Sequence, residues 1–144
     1  MEEEGRGAGA GFTVNLPYPP GATGDAFRAA IDDVVVPLAE AWSPTWLLVS
    51  AGFDGHRDDP LTDLGLSAGD YADLASAVLP LVPAGRRLVF LEGGYDLQAL
   101  ARSAGACVAA MAGVRHAVEA PTSGGPGRTV VDAVRLRREH SGRG

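Results

Sequence analysis

The spacing of apolar residues divides the chain into three helical and two strand-like stretches. From Asp25 onward, Phe27, Ile31, Val34, Val35, Leu38 and Trp42 recur on one face at helical spacing, with Asp25 and Thr23 as candidate caps. Pro37 interrupts that pattern. It lacks the N–H that the preceding turn would use, so a kink or a second helix start is expected there. After Ser43-Pro44, Trp46 to Ala51 is a short, nearly continuous apolar run that reads as a strand covered on both faces. Ser67-Ala68-Gly69-Asp70 has the form of a capping box with Asp in the usual Glu position. Tyr71, Leu74, Ala75, Val78 and Leu79 continue it as one stripe, which Pro80 and Pro83 end. Gly85-Arg86-Arg87 turns the chain into Leu88 to Leu91, a second strand of the buried type. Asp96 then caps a third helix with Leu97, Leu100, Ala101, Ala104, Val108 and Met111 on one face.

Helix, strand, helix, strand, helix predicts an α/β layer with parallel strands and right-handed crossovers. Before it, the chain to about Thr23 alternates glycine-rich and proline-rich pieces, and only Phe12 to Leu16 reads as a short strand. Beyond Gly113, the stretch Ala-Pro-Thr-Ser-Gly-Gly-Pro-Gly-Arg is linker-like, and Val130 to Arg138 predicts a final short helix with a basic outer face. The expected organisation is therefore a body over 1–118 and a linker with a short helix or tail over 119–144.

Composition narrows the function classes. At 144 residues, with 46% apolar and 21% charged residues, the chain suits one globular domain and not wholesale disorder. A net charge of −6 and a pI near 4.9 exclude general attraction to nucleic-acid backbones or anionic membranes. All 12 basic residues are Arg, which suggests a GC-rich bacterial genome. One cysteine, Cys107, allows neither an internal disulfide nor a cysteine zinc cluster and reads as core filler. The acidic, glycine-rich start carries no apolar leader segment, so a cytoplasmic location is expected.

Parallel α/β sheets bind ligands beyond the carboxyl ends of their strands, and both ends here are unusual. The first strand runs into Gly52-Phe53-Asp54-Gly55-His56-Arg57-Asp58-Asp59-Pro60, which concentrates carboxylates, an imidazole and a guanidinium in one loop. Asp58 and Asp63 read as ordinary turn residues. Asp59 differs, because the following proline restricts its backbone and holds its carboxylate in one direction, which suits a cation such as Zn²⁺. The second strand runs through Glu92 into Gly93-Gly94-Tyr95-Asp96, where two glycines permit close backbone approach and a tyrosine is delivered at the strand end. Glu92, after four apolar residues, reads as a buried structural acid satisfied by loop N–H groups or an arginine. Gly5-Arg6-Gly7-Ala8-Gly9-Ala10 fits G-x-G-x-x-A. It lacks the strand before and the helix after that a dinucleotide loop requires, which sets aside a Rossmann-type cofactor domain.

Val14-Asn15-Leu16-Pro17, Pro20-Gly21, Ser50-Ala51-Gly52-Phe53-Asp54, Asp58-Asp59-Pro60-Leu61 and Leu91 to Leu97 (Leu-Glu-Gly-Gly-Tyr-Asp-Leu) together resemble the C-terminal part of the catalytic domain of histone deacetylases, acetoin-utilisation proteins and acetylpolyamine amidohydrolases. The resemblance runs from about Gly5 to Gly113. It implies the arginase/deacetylase α/β fold, part of a three-layer architecture with a mainly parallel sheet. It also implies a zinc cofactor held by an Asp-His-Asp set, of which Asp59 matches the last member. Tyr95 matches the family's catalytic tyrosine, Gly93 and Gly94 the glycine loop of the acyl-lysine channel, and Leu66 a position at the channel mouth. Asp54 and Glu92 belong to the motifs without being zinc ligands, and His56 reads as a supporting loop residue.

The implied reaction is metal-assisted amide hydrolysis of an acetylated lysine or polyamine. Zinc polarises the carbonyl and its water, a histidine takes the water's proton, and the tyrosine hydroxyl donates to the developing oxyanion. The family's tandem histidines and Asp-x-His pair have no match here, since His56, His116 and His140 are isolated. A catalytic zinc needs three protein ligands, so Asp59 alone should not hold it tightly. The chain is therefore expected to be an enzyme fragment, inactive and poorly folded without the missing N-terminal half of the domain, with no nucleic-acid or membrane partner. The alternative is a non-catalytic remnant or interaction module of the same fold.

Overall fold

A proline shapes the first helical stretch. In the structure, a computed structural model that describes residues 3–114, 116 and 119–141, the chain is helical from Gly24 to Trp42 without being uniform. Helix α1 (Gly24–Ala30) passes through one π-helical turn (Ile31–Val35) into α2 (Val36–Trp42). Pro37 has no N–H to give the carbonyl of the preceding turn, and the wider π-turn carries the chain past that gap without a break. Ser43, at φ 52°, adopts the left-handed conformation and donates its N–H to the Ala39 carbonyl at 2.8 Å, which ends α2 before Pro44.

Strands β1 (Leu47–Gly52) and β2 (Arg87–Gly93) pair in parallel, from Leu47 opposite Arg87 to Ala51 opposite Leu91. A bulge then sets Gly52 opposite Gly93. Helices α3 (Ala68–Val78) and α4 (Leu97–Met111) follow the two strands in turn. Ser67 closes the expected capping box with Asp70, and the Asp96 carboxylate accepts the Ala99 N–H at 2.7 Å to cap α4. One face of the sheet looks across an apolar cavity of about 220 Å³ toward α3 and α4, lined by Val49, Ala51, Val89, Leu74, Val78 and Met111. Cys107 lies on the same cavity, donating to the Tyr71 carbonyl, and burial pushes its thiol up to about 11, in line with a packing role.

Three expectations need correction. The strands are not covered on both faces: Leu48, Leu88 and Phe90 are 63, 46 and 48% exposed, because nothing among the described residues packs on that side. Part of the stripe expected to bury on α4 points outward, with Leu97 77% and Val108 64% exposed, while Leu100 lies against Gly94 and Met111 lines the cavity. The helix instead turns its small residues Ala99, Ser103 and Ala106 inward, where it approaches α3 closely. Phe12 to Leu16 pairs with no strand. Phe12 stacks on Trp42 at 4.5 Å, while Val14 and Leu16 pack against the core as extended chain.

The main buried cluster lies away from the sheet, where Ala30 and Val34 meet Val131 and Val134 of helix α5 (Arg128–Ser141). Tyr18 stacks on Phe27 at its edge, and burial pushes that phenol up to about 12. Two arginines of α5 are paired with acids of the body: Arg128 with Asp33 at 2.7 Å and Arg137 with Glu4 at 2.8 Å.

The boundary expected at 118 falls on a residue outside those described. The stretch after it, read as linker, is strapped to the body. Thr122 donates its N–H and hydroxyl to Asp70, Gly24 donates to the Thr122 hydroxyl, and Gly125 donates to the Thr23 hydroxyl. Asp70, 2% exposed, thus caps α3 and anchors the strap with one carboxylate. Asp70→Ala should cost about 3 kcal/mol, since it removes a cap and leaves several buried donors unpaired. Exposed Asp73→Ala should stay within about 0.5 kcal/mol. Urea denaturation of the two variants checks this.

Candidate active site

The loop after β1 and the loop after β2 are joined by one carboxylate. The Phe53 N–H donates to the Gly93 carbonyl at 2.9 Å, and successive turns carry His56 and Asp59 back toward β2. Asp59, 5% exposed, then receives the backbone N–H groups of Tyr95 at 2.6 Å and Asp96 at 2.9 Å on Oδ2, and that of Leu61 at 3.0 Å on Oδ1. Pro60 supplies no N–H, so the next residue closes this turn. Tyr95 is held by its backbone while its side chain stays 60% exposed, at the carboxyl end of β2.

The glycines have separate steric reasons. A Cβ on Gly93 would lie 2.7 Å from the Asp54 carboxylate, which sits against both strand ends. Gly94, at φ 132°, is in a region that side chains avoid and is pressed on by Phe53 and Leu100. Phe53 is buried and meets Tyr71 edge-on at 5.0 Å, which fixes the floor beneath the two loops.

Not every expected residue converges on this node. Leu66 is buried, with its amide bonded to the Gly55 carbonyl and its side chain beneath Gly55, so it packs inside the loop. Glu92 is exposed where a buried acid was expected, and receives only the Ser50 hydroxyl at 3.4 Å, because the face it lies on is uncovered. His56 is wholly buried. Its Nδ1 accepts the Asp58 N–H at 3.1 Å, so its proton sits on Nε2, which meets Glu119 Oε2 at 2.9 Å.

Glu119 was missed by sequence reasoning, because it lies 63 residues from His56 in a stretch that reads as linker. It also accepts the Ala68 N–H at 2.8 Å and pairs with Arg102 Nε at 3.2 Å, while Arg102 reaches Asp58 at 2.9 Å. No local periodicity marks such a tie.

The donor set can be tested against a metal. Among the described residues, His56, Asp58 and Glu119 bring one ligand atom each within 4.8 Å of one another. Both ring nitrogens of His56 are spent on hydrogen bonds, and Arg102 and Arg57 already supply the cationic charge. That cluster is an ion-pair clasp behind the loop. Asp59 stands apart from it, and one carboxylate already accepting three N–H groups does not make a zinc site. This chain's residues do not by themselves fit a zinc ion.

Residues 1–111 match the Histone deacetylase domain family. The chain belongs to the histone deacetylase family. It is 38% identical over 116 residues to a probable deacetylase of Archaeoglobus fulgidus, a match covering 78% of this chain and 32% of that protein. It is 39% identical over 100 residues to the polyamine deacetylase HDAC10 of Danio rerio, covering 69% and 15% respectively. The crystal structure of the HDA15 HD domain superposes with a TM-score of 0.79 at 32% identity, over 96% of this chain and 38% of that one. The chain thus spans about a third or less of the curated relatives it matches, and its α/β fold is a partial arginase/deacetylase fold.

Burial alone would raise the Asp59 carboxyl, but the N–H groups of Asp96, Tyr95 and Leu61, with the nearby His56, more than offset it and hold the group low. For Glu119, burial is likewise overcome by the Ala68 N–H, His56 and Arg102. Groups held low in the folded chain contribute stability that is complete above the usual carboxylate range and lost as pH falls through the lowered values. The amide resonances of Tyr95 and Ala68 should therefore hold position through that range and move only in stronger acid. An NMR pH titration in which they move within the usual range would contradict the assignment.

Proposed function

We propose that this chain forms the C-terminal part of the catalytic domain of a zinc-dependent deacetylase, and that the complete enzyme hydrolyses acetyl-lysine or acetylpolyamine amides. One observation carries the reading: the Asp59 carboxylate grips the Tyr95 backbone at 2.6 Å, so a motif carboxylate and a motif phenol are presented from one node at the ends of neighbouring strands. Zinc and the histidine base belong, in this reading, to residues outside this chain, and Asp59 is its single contribution to the metal. Gly93 and Gly94 match, in this reading, the glycine loop of a channel for an acylated amine, and here both sit in tight packing, against the Asp54 carboxylate and against Phe53 and Leu100.

A phenol hydroxyl can donate a hydrogen bond, so Tyr95 suits stabilisation of a developing oxyanion. The matched deacetylases support the reaction class, and the one named for polyamines keeps a small-molecule substrate beside the protein one. A second reading, a non-catalytic interaction module of the same fold, is favoured by the His56 clasp, which leaves no histidine near Asp59 free to act as base or ligand.

The 144-residue chain alone should bind zinc weakly and show no deacetylation. In the complete enzyme, Tyr95→Phe should lower kcat about 100-fold or more with little change in metal content. Asp59→Ala should lower both metal content and turnover. Deacetylation assays beside elemental analysis check this; full turnover in both variants would overturn the roles given to Asp59 and Tyr95, and no turnover in the unsubstituted complete protein would overturn the hydrolase reading and leave the module.

A further inference from the structure

Glu119 is remote from Asp59 and Tyr95 in sequence, yet its carboxylate touches the segments that deliver both. Its Oε2 accepts from His56 Nε2 at 2.9 Å and from the Ala68 N–H at 2.8 Å. Its Oε1 pairs at 3.2 Å with Nε of Arg102, which sits on α4, the helix that follows Tyr95. One side chain thereby holds the loop after β1, the start of α3 and the flank of α4.

The loop it grips is closed at its neck. The Leu66 carbonyl accepts the Arg57 N–H at 2.8 Å and the Gly55 carbonyl accepts the Leu66 N–H at 3.2 Å, which sets His56 beside Leu66. From that neck the Asp58 N–H donates to the His56 ring at 3.1 Å, and the Asp59 N–H donates to the His56 carbonyl at 2.8 Å. The placement of His56 therefore sets the turn on which Asp59 stands, and Asp59 receives the amides of Tyr95 and Asp96. Satisfying a buried imidazole would take only one neutral acceptor, such as a backbone carbonyl. Here the acceptor is a carboxylate, which bonds more strongly, and the arginine that balances it also reaches Asp58 at 2.9 Å, next to Asp59.

We propose that Glu119 is a positioning residue: through His56 and Arg102 it fixes how Asp59 meets the Tyr95 backbone, and so where the Tyr95 phenol stands. The expected effect on turnover rests on the deacetylase reading, whereas the effect on geometry does not. Because one oxygen, Oε2, serves both His56 and Ala68, the single carbonyl oxygen of a glutamine can replace it, leaving the amide NH2 toward Arg102. Glu119→Gln should keep the His56 bond and lose the ion pair, and Glu119→Ala should lose both.

Hydrogen exchange of the 144-residue chain, read by NMR against the buried Val134 of α5, tests the geometry. In Glu119→Ala the amides of Tyr95 and Asp96 should exchange about ten-fold or more faster relative to Val134, and in Glu119→Gln within about three-fold of the unsubstituted chain. Glu119→Asp, one methylene too short, keeps the charge and should raise the rates nearly as far. It carries the test where circular dichroism shows that Glu119→Ala does not fold. Thr122→Val is the control, since it releases the same stretch from Asp70 and Gly24 without touching His56, and Tyr95 should keep its rate. In the complete enzyme, Glu119→Ala should lower kcat about ten-fold or more with KM within about two-fold, and Glu119→Gln should restore most of it. Unchanged Tyr95 exchange in Glu119→Ala and Glu119→Asp, or an equal rise in Thr122→Val, overturns the proposal and leaves Glu119 a general stabiliser. A raised KM at constant kcat overturns it too. A complete protein without turnover before any substitution ends the deacetylase reading, and the exchange rates still decide the role of Glu119.

Discussion

Parallel strands have no hairpin between them, so beyond the last rungs of the ladder the loops that follow β1 and β2 are held together by what they exchange. Asp59 provides that exchange: one oxygen accepts from Tyr95 and Asp96, the other from Leu61. An ionised carboxylate offers about four lone-pair directions, and three are taken by N–H groups. The same side chain therefore works as a structural tie and has little left over for a cation. In this chain the tie dominates, and metal binding through Asp59 depends on donors that converge on it from elsewhere.

Behind that tie stands the clasp of His56, Asp58, Glu119 and Arg102. A buried imidazole is costly unless both nitrogens are satisfied, and here the Asp58 amide serves one and Glu119 the other. Glu119 in turn holds the Ala68 amide at the start of α3, so the C-terminal segment sets the position of the loop bearing Asp59 as well as the helix that follows it. Three potential ligands within reach of one another suggest a cation site at first sight. The arginine at 2.9 and 3.2 Å shows where the charge balance comes from.

What the sequence revealed follows the range of each interaction. The capping box at Ser67, the cap at Asp96, the strand-to-Tyr95 junction and the parallel pairing were legible, because each depends on a few neighbouring residues and a period. The burial of β1 and β2 was not, since an apolar run states what a strand would bury and not whether anything arrives to cover it. On α4 the hydrophobic stripe was read as the packing face, whereas close approach to α3 selects Ala99, Ser103 and Ala106. The strap from Glu119 to Gly127 was invisible for a plainer reason. Its partners Asp70, Thr23 and His56 lie some 50 to 100 residues away, and glycine, proline and threonine give no periodic signal.

The distribution of packing has a consequence for the site. The tightest apolar cluster joins the π-turn region to α5, while the strands that deliver Asp59 and Tyr95 are backed on one side only. Segments with few buried contacts open at lower free energy than the rest of a fold, so the site stands on the part of this chain with the least support. A loop geometry fixed by hydrogen bonds but resting on a half-covered sheet is ordered locally and free to shift as a unit. Covering the open face would therefore do more than add area. It would hold β1 and β2, and with them the carboxylate and the phenol, in the fixed relation that the proposed stabilisation of an oxyanion demands.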